Sequence, residues 1–253
     1  MPDGKEPRCL VFDIETMADL AWVWQKYETN VISYQQLGYV LCFSWKWLGE
    51  KKVHSLSLPE FKGYKDNKTN DLLLCKELWK LFDEADVLIA HNGDRFDVKK
   101  AMTRFLVHGF APPSPCQTAD TKKIAKKYFN FNSNALDDLA DQLGIGRKLQ
   151  TGGWPLWLGV AVEDDPKAWS KMIAYCRQDT ALLWKVYLRM RPYATSHPNR
   201  NIYSQTLDKC PACGGRIIRN GWRPTMTGKY QRFSCTQCGK WSSSPNIEKR
   251  MAR

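Results

Sequence analysis

Two carboxylates lie side by side on one predicted strand near the N-terminus. In the run CLVFDIET, residues 9–16, side chains are predicted to alternate between two faces, with Leu10, Phe12 and Ile14 on one and Val11, Asp13 and Glu15 on the other. Asp13 and Glu15 therefore project from the same face, about 6.6 Å apart along the chain. Two like charges this close repel each other unless a cation or a proton lies between them. The pair is a candidate cation site, and an exposed face of an edge strand is the alternative.

A third carboxylate, Asp97, ends the segment HNGDRFD, which follows a short predicted strand at 87–90. Ligands in open α/β sheets bind where the strands end, and this makes Asp97 a second candidate ligand. The alternative is an ordinary polar turn in which Asp94 or Asp97 caps the next helix. This segment alone does not separate the two interpretations.

The fourth carboxylate interrupts the apolar side of a long predicted helix. Steps of three and four residues place Asp179 between Cys176 and Leu183, within the stripe that faces the core. A carboxylate there is costly unless a cation compensates it. Tyr175 lies one turn earlier on the same side, where a hydrogen-bonded core tyrosine is the usual explanation. The acid beside it favours a functional role for both residues.

Four cysteines near the C-terminus have the spacing of metal-binding knuckles. Cys210 and Cys213 form one C-x-x-C pair, Cys235 and Cys238 form another, and a glycine follows each. Each pair can present two thiolates to one tetrahedral ion. Residues 208–253 are too few to bury a sufficient core, so one structural Zn²⁺ is expected to supply folding energy. Two strands, at 216–219 and 230–233, are predicted around a turn at 224–228.

The same region is strongly basic. Ten Lys or Arg residues against two carboxylates give residues 208–253 a net charge of +8, out of +12 for the chain. A domain this basic favours contact with a polyanion, most simply a phosphate backbone. Trp222, Tyr230 and Trp241 interleave with the basic residues, as in nucleic-acid interfaces. The predicted contacts are Arg219, Arg223, Lys229 and Arg232. A solvated face and a protein-docking ribbon are the alternatives.

The order of the elements that must position these residues is that of an α/β domain. Strands are predicted at 9–16, 38–47, 53–58 and 87–90, and helices at 71–84, 96–105, 122–129, 135–143 and 165–191. Asp165 and Pro166 supply an N-cap and a first-turn proline for the last helix. The Gly- and Trp-rich residues 144–159 are predicted as an ordered surface loop. A hairpin followed by strands that alternate with helices indicates a mixed sheet.

Composition excludes several classes of protein. With 43% hydrophobic residues the chain can bury a sizeable core, which excludes disorder as its overall state. Its apolar stretches are far shorter than the roughly 20 residues of a membrane-spanning helix, so no membrane association is expected. The start MPDGKEPR lacks the apolar part of a secretory signal. Nine cysteines, four of them in knuckles, favour a reducing compartment, and we expect a cytoplasmic protein.

At the carboxylates the chain resembles a known family. The three exonuclease motifs of the DEDD superfamily resemble Asp13-Ile14-Glu15, Asn92-x-x-x-Phe96-Asp97 and Tyr175-x-x-x-Asp179. The tyrosine is typical of the DEDDy branch, which includes the proofreading domains of family A and family B DNA polymerases. The sister branch has a histidine five residues before the last aspartate, where this chain has Ala174. The resemblance covers residues 8–190.

The resemblance implies a ribonuclease H-like fold, a mixed five-stranded sheet flanked by helices. It implies two Mg²⁺ or Mn²⁺ ions held by Asp13, Glu15, Asp97 and Asp179. By the same resemblance, the ion that generates hydroxide is held by Asp13, Glu15 and Asp179. Asp13 bridges to a second ion, Asp97 is an outer ligand, and Tyr175 orients the attacking water. The expected product is a 5′-mononucleotide released from a 3′ end.

Contacts with the nucleic-acid strand are expected at Asn92 and Phe96 in the second motif, and at Lys148 and Trp154 in the Gly- and Trp-rich segment. Stacking of a base on Trp154 or Trp157 would add about 1–3 kcal/mol without reading sequence. Packing of these tryptophans against the protein is the alternative. The cysteine segment resembles zinc ribbons found beside transposases of insertion elements, which suggests nucleic-acid binding.

The sequence thus predicts an exonuclease domain at 1–193, a linker at 194–207 and a basic zinc ribbon at 208–253. We expect a two-metal-ion 3′–5′ exonuclease that prefers single-stranded DNA. The alternatives are an RNA exonuclease or a structure-selective endonuclease on the same fold, and a nucleic-acid-binding protein with a silent site. A bacterial or phage origin is expected by analogy with the ribbon.

Overall fold

The protein is described here from a computed structural model, which covers residues 6–27, 30–203 and 208–248. Residues 204–207 of the predicted linker and residues 249–253 of the predicted ribbon lie outside the described part. The elements follow in chain order: β1 (Cys9–Thr16), β2 (Leu20–Trp22), β3 (Ser33–Gln36), β4 (Val40–Trp47), β5 (His54–Ser57), α1 (Leu72–Glu84), β6 (Val87–Ala90), α2 (Asp97–Val107), β7 (Gln117–Asp120), α3 (Thr121–Tyr128), α4 (Leu136–Gln142), α5 (Trp154–Ala161), α6 (Pro166–Met190), β8 (Ile217–Thr225), β9 (Gly228–Cys235) and β10 (Trp241–Glu248).

The central sheet has five strands in the order β5-β4-β1-β6-β7. β1 pairs antiparallel with β4 and parallel with β6, and β6 pairs parallel with β7. The predicted mixed five-stranded sheet flanked by helices is confirmed. β7, whose sequence QTAD carries little strand pattern, was not predicted. Because β1 and β6 are parallel, the residues that follow both strands meet at one edge of the sheet.

Alternation along β1 divides the core between the two faces of the sheet. Leu10, Phe12 and Ile14 belong to one buried cluster, and Cys9 and Val11 belong to the other. Asp13 and Glu15 continue the row of Cys9 and Val11 toward the end of the strand. The predicted division of the two faces is therefore confirmed.

The long helix α6 lies across the sheet and contributes to both clusters, with its N-terminal half in the first and its C-terminal half in the second. The Asp165 carboxylate accepts hydrogen bonds from the backbone N–H groups of Lys167 and Ala168, and Pro166 occupies the first helical position. The predicted N-cap is confirmed. Satisfying these free N–H groups stabilises the start of the helix that carries Tyr175 and Asp179.

The prediction of a loop throughout 144–159 was wrong, because α5 forms at its end. Pro155 lies in the first turn of α5, where a missing N–H removes no intrahelical bond. Leu156 and Val160, four residues apart, are both buried against the first core cluster. Burial of this short apolar stripe outweighs the preference of glycine and proline for turns.

The C-terminal region forms a separate three-stranded antiparallel sheet in the order β10-β9-β8. The two predicted ribbon strands are present but longer than expected. The third strand, β10, was not predicted, because its sequence WSSSPNIE is polar and contains a proline. Among the described helices, none combines the length and the apolar character needed to cross a bilayer.

Candidate active site

The candidate site lies at the edge of the sheet where β1 and β6 end. Asp13 and Glu15 come from β1, and Asp97 is the first residue of α2. The Ile14 backbone N–H donates a hydrogen bond to Asp97 Oδ1 at 3.3 Å. This bond crosses from one motif to the next and fixes Asp97 beside the other two carboxylates. Asp97 does not cap its helix, so the capping alternative is wrong.

The turn before Asp97 is held by a carboxylate on β7. Asn92 has φ of +67°, a conformation that asparagine tolerates better than most residues. Its backbone N–H donates to Asp120 Oδ1 at 3.0 Å. His91 makes hydrogen bonds to Thr121 Oγ1 and to the Asn134 carbonyl, and burial lowers its pKa to about 4. His91 therefore remains neutral at pH 7 and has a structural role.

Asp179 and Tyr175 are positioned by the contact between α6 and β4. Ser44 lies directly opposite Asp13 in the strand register. Its hydroxyl donates to the Cys176 carbonyl at 2.7 Å and lies 2.6 Å from the Thr180 hydroxyl. These bonds hold the helix on both sides of Asp179, which is 2% exposed, and aim its side chain at β1.

Sequence reasoning assigned no role to Ser44 and treated Cys176 only as an apolar residue. The Cys176 thiol lies 3.7 Å from Asp13 Oδ2 and 3.3 Å from Ser44 Oγ. A serine within the buried run VLCFSWKW is the one signal that could have identified the contact, because a buried hydroxyl needs a partner.

All four carboxylates have a raised pKa, and burial is the main cause in each case. Burial raises the pKa of Asp13 well above its usual range, and repulsion from Glu15, Asp97 and Asp179 adds to this effect. Burial and repulsion from Asp179 raise the pKa of Glu15 to about 8, and burial raises that of Asp97 to about 6. The pKa of Asp179 is also raised, chiefly by burial. A site arranged in this way attracts protons or cations.

One lysine compensates part of this charge. The Lys148 ammonium group donates a hydrogen bond to Asp179 Oδ2 and another to the Tyr175 hydroxyl, at 3.1 Å. Burial alone would lower the pKa of Lys148, but attraction to Asp179 outweighs it and the pKa is raised. Lys148 was predicted to contact the nucleic-acid strand, and the structure places it among the carboxylates.

The donor set fits divalent cations. Asp179 Oδ1 is buried and has no hydrogen-bond partner among the described residues, so it can accept a metal ion. Carboxylate oxygens are hard ligands of the kind that Mg²⁺ and Mn²⁺ prefer. Four ionised carboxylates against one lysine leave a net negative charge, which favours the binding of divalent ions. The side chains of Asp13, Glu15 and Cys176 approach within 4.8 Å of one another.

Three aromatic side chains beside this region differ in availability. Phe96 is 40% exposed and Trp154 is 51% exposed, so both present an open ring. Trp157 instead donates its indole N–H to the Thr16 carbonyl at 3.2 Å and packs on the first core cluster. For Trp157, the packing interpretation is correct.

The hairpin formed by β2 and β3 rises from the same edge of the sheet. The Met17 N–H donates to the Tyr39 carbonyl at 2.9 Å, and the Gly38 N–H donates to Asp19 Oδ1 at 2.6 Å. A Cβ atom on Gly38 would lie 2.6 Å from the Met17 carbonyl oxygen, so only glycine fits there. The hairpin and its flanking residues expose nine large apolar side chains: Leu20, Trp22, Val23, Trp24, Tyr27, Val31, Ile32, Tyr34 and Leu37.

The four C-terminal cysteines converge on one point. Sγ of Cys210 lies 3.7 Å from that of Cys238, and Sγ of Cys213 lies 3.5 Å from that of Cys235. A zinc ion about 2.3 Å from four thiolates would place neighbouring sulfurs about 3.8 Å apart. Backbone N–H groups of Gly215 and Gln237 donate to Cys213 Sγ and Cys235 Sγ. The cluster therefore fits one tetrahedral metal ion.

Backbone N–H groups also affect the acidity of the Cys235 thiol. Burial would raise the pKa of Cys235, but hydrogen bonds from the backbone of Cys238 and Gln237 outweigh it and lower the pKa to about 7. A thiolate stabilised in this way is the form that binds metal.

The four ribbon cations do not share one surface. Arg223 stands opposite Tyr230 in the register, and Arg219 stands opposite Phe233. Because side chains alternate along a strand, Arg223 and Arg232 lie on one face of the sheet, and Arg219 and Lys229 on the other.

Comparisons with known proteins agree with this architecture. The family model of the RNase_H superfamily matches residues 27–191, well over half of the chain. Among solved structures, the family B DNA polymerase from the hyperthermophilic archaeon Pyrobaculum calidifontis is similar, with a TM-score of 0.52 and 12% sequence identity. The match covers 88% of this chain and 32% of the polymerase chain, so this chain spans about a third of the polymerase's length. At this identity the likeness shows the fold alone.

A comparison with curated protein sequences finds no match. The family-model match and the mixed five-stranded sheet agree on an RNase H-like fold. The chain belongs to the RNase_H superfamily.

Proposed function

We propose that the protein is a metal-dependent 3′–5′ exonuclease that degrades single-stranded DNA. The observation that carries the proposal is the convergence of Asp13, Glu15, Asp97 and Asp179 on one edge of the sheet, with Tyr175 one helical turn from Asp179. A merely structural role would not bring four carboxylates together beside one lysine, because their mutual repulsion destabilises the metal-free fold.

The four carboxylates would hold two Mg²⁺ or Mn²⁺ ions. When bound, such ions lower the pKa of a water molecule and stabilise the negative charge of the leaving oxygen. Asp13 is the most central ligand, because repulsion from each of the other three carboxylates raises its pKa. Asp179 contributes the oxygen that has no hydrogen-bond partner among the described residues.

Tyr175, held by Lys148, would act on the attacking water. Lys148 holds the Tyr175 hydroxyl by a hydrogen bond of 3.1 Å, so that its other lone pair or its proton is available to a water molecule. Burial raises the pKa of Tyr175, so the phenol stays protonated at pH 7. Tyr175 therefore orients the water rather than removing its proton.

The exposed aromatic rings support an unpaired strand as the substrate. Trp24 and Tyr27 of the hairpin are 83% and 87% exposed, and Phe96 and Trp154 supply further rings. Unpaired bases stack on such rings without sequence preference, whereas bases in a duplex are already stacked. The described hairpin residues carry one Asp and one Lys, so stacking rather than charge would hold the strand there.

The C-terminal sheet would be a zinc ribbon that binds one structural Zn²⁺ through Cys210, Cys213, Cys235 and Cys238. Two observations support a bound zinc ion. The sulfur atoms lie 3.5 and 3.7 Å apart in pairs, and backbone N–H groups donate hydrogen bonds to two of them. We propose the division into an exonuclease domain at 1–193, a linker at 194–207 and a ribbon at 208–253.

The proposal is tested by separating cleavage from binding. Asp13→Ala and Asp179→Ala should abolish cleavage of single-stranded DNA while oligonucleotide affinity stays within a few-fold of wild type. Tyr175→Phe should reduce turnover less than either change, because it removes only a hydroxyl. Cleavage that persists in both aspartate variants would refute the site.

Circular single-stranded DNA distinguishes the remaining activities. An exonuclease leaves a circle intact, whereas a structure-selective endonuclease cuts it. Faster degradation of RNA of the same sequence would identify an RNA exonuclease. Binding without metal-dependent cleavage would identify a silent site.

A further inference from the structure

The ribbon sheet presents two different faces to solvent. All residues of β8 from Ile218 to Thr225 are exposed. Arg223 pairs with Tyr230 in the register, and Trp241 pairs with Ser234 on the other side of β9. Since Tyr230, Arg232 and Ser234 alternate with their neighbours along β9, they share one face with Arg223 and Trp241. We call this the Arg223 face.

Two arginines on the Arg223 face lie over aromatic rings. Arg223 Cζ is 4.8 Å from the centre of the Tyr230 ring, and Arg232 Cζ is 5.0 Å from that of Trp241. Trp241 is 52% exposed. An arginine that covers part of a ring can still bind a phosphate through its outer N–H groups. Each pair thus combines a phosphate-binding group with a surface on which a base can stack.

The backbone leaves space for one of these guanidinium groups. Gly221 has φ of +74°, and a Cβ atom at this position would lie 3.2 Å from Arg232 Nη2. The strand register shifts between Arg219 and Trp222, next to this glycine. Arg232 Nε is buried and has no hydrogen-bond partner among the described residues.

The opposite face carries a different set of groups. Arg219, Trp222 and Lys229 lie there, with Lys229 Nζ 4.1 Å from the Trp222 ring. That face therefore has one cation–aromatic pair, formed by a lysine, whereas the Arg223 face has two, both formed by arginines. Arginine binds phosphate through two parallel hydrogen bonds, which a lysine cannot form. Residues 217–247 contain no Asp or Glu, and a polyanion is therefore attracted to the Arg223 face.

Two buried cations fix the ribbon against the rest of the protein. Lys240 Nζ donates to the carbonyl oxygens of Ala194 at 2.6 Å and Pro192 at 3.3 Å, just after α6. Arg200 Nη1 donates to the Cys213 carbonyl at 3.1 Å. The residues that directly follow the helix of Tyr175 and Asp179 are thus in contact with the ribbon. A strand bound on the ribbon is consequently held at a set position relative to the nuclease site.

We propose that single-stranded nucleic acid binds across the Arg223 face, with phosphates on Arg223 and Arg232 and bases stacked on Tyr230 and Trp241. This inference rests on the proposed function, because the bound strand is the substrate of the nuclease. Binding at this face contributes affinity and leaves the chemical step unchanged.

The test compares two double variants that remove equal charge from opposite faces of the same sheet. In the full-length protein carrying Asp13→Ala, Arg223→Gln with Arg232→Gln is compared with Arg219→Gln with Lys229→Gln. Affinity for a labelled oligothymidylate is measured from 50 to 300 mM salt, without divalent ions or chelators. Equal zinc content and melting temperature establish that both variants are folded.

The Arg223-face variant should bind at least tenfold more weakly at the lowest salt concentration. The slope of log affinity against log salt should fall by about 1.4, since each lost phosphate contact on a single strand removes about 0.7. The control variant, Arg219→Gln with Lys229→Gln, should retain most of the affinity and most of the salt slope. Trp241→Leu should weaken binding roughly tenfold, and Trp222→Leu should not.

Equal losses in the two double variants would overturn the assignment of the face. Unchanged binding in both would show that the ribbon does not hold the strand. Equal competition by duplex DNA would overturn the commitment to single strands. The wild-type cleavage assay decides the proposed nuclease independently, so these failures are distinguishable from failure of the function.

Discussion

The Lys148 ammonium group pairs directly with the Asp179 carboxylate and also donates a hydrogen bond to the Tyr175 hydroxyl. Lys148 lies in the segment that precedes α5. These bonds join a side chain from outside the sheet to two residues of the candidate site on α6. Asp179 is almost completely buried near three other carboxylates, so in the absence of metal this lysine is its principal counter-charge. A divalent ion bound to Asp179 would compensate its negative charge more fully.

Removing Lys148 should therefore make the fold more dependent on metal. We predict that Lys148→Met lowers the metal-free free energy of unfolding by about 3 kcal/mol, because a buried carboxylate loses its partner. Mn²⁺ should recover most of this loss and should raise the melting temperature of Lys148→Met more than that of wild type. Thermal denaturation with and without Mn²⁺ measures both effects.

Lys123→Met is the matched control, because Lys123 forms an exposed ion pair with Asp94. Exposed pairs contribute little, so this variant should melt like wild type in both conditions. If Mn²⁺ stabilises all three proteins equally, the metal does not bind beside Asp179.

The raised carboxylate pKa values predict a specific dependence of stability on pH. Glu15 titrates near pH 8 in the folded state against an ordinary value of 4.5, and Asp97 near pH 6 against 3.8. Between about pH 4.5 and 8 the folded metal-free protein thus binds more protons than the unfolded chain, so its stability falls as pH rises. Mg²⁺ replaces these protons, and its stabilising effect should grow over the same range.

Thermal denaturation at pH 5, 6, 7 and 8, with and without Mg²⁺, tests this prediction. Glu15→Gln cannot ionise, so the metal-free variant should lose less stability between pH 5 and pH 8 than wild type does. Metal-free stability that is constant or rises across this range would contradict the described electrostatics.

Two tryptophans three residues apart in α5 should behave differently. Trp154 is exposed, whereas Trp157 bonds to the Thr16 carbonyl and packs on the core. Trp154→Ala should weaken oligonucleotide binding by about 1–3 kcal/mol and leave stability unchanged. Trp157→Ala should lower the free energy of unfolding by about 3 kcal/mol. Binding by fluorescence anisotropy and chemical denaturation separate the two roles, and a reversed result would refute the assignment.

The ribbon should contain one zinc ion per chain. Native mass spectrometry of the purified protein should show a single Zn²⁺ per chain. The Cys213→Ser variant lacks one of the four thiolates and should not retain this ion. Cys116→Ser is the control, since Cys116 lies outside the cluster. Full zinc content in Cys213→Ser would show that the metal binds elsewhere.

The sequence allowed much of the site to be predicted, because three of the four carboxylates violate a local rule. Asp13 and Glu15 occupy the inner row of an otherwise apolar strand, and Asp179 interrupts the apolar stripe of α6. Such positions can be identified without a structure, since burial and charge conflict there. The order of the three motifs then supplied the expected fold.

Contacts between distant segments could not be predicted in the same way. Lys148 meets Asp179 only because the chain between α4 and α5 returns to the sheet, and nothing local indicates that return. The sequence of strand β10 is mostly polar, so it lacks the alternation by which strands are identified. The division of the ribbon cations between two faces depends on the register shift near Gly221, which sequence spacing does not show.

The most direct test of the central claim follows the fate of a linear single strand. DNA and RNA of equal sequence, labelled at the 5′ end, are incubated with the protein in Mg²⁺, in Mn²⁺ and without divalent ions, beside Asp13→Ala. We predict a metal-dependent ladder that shortens from the 3′ end, faster for DNA, and no products with Asp13→Ala. Intact substrate in every condition, or an identical ladder from Asp13→Ala, would contradict it.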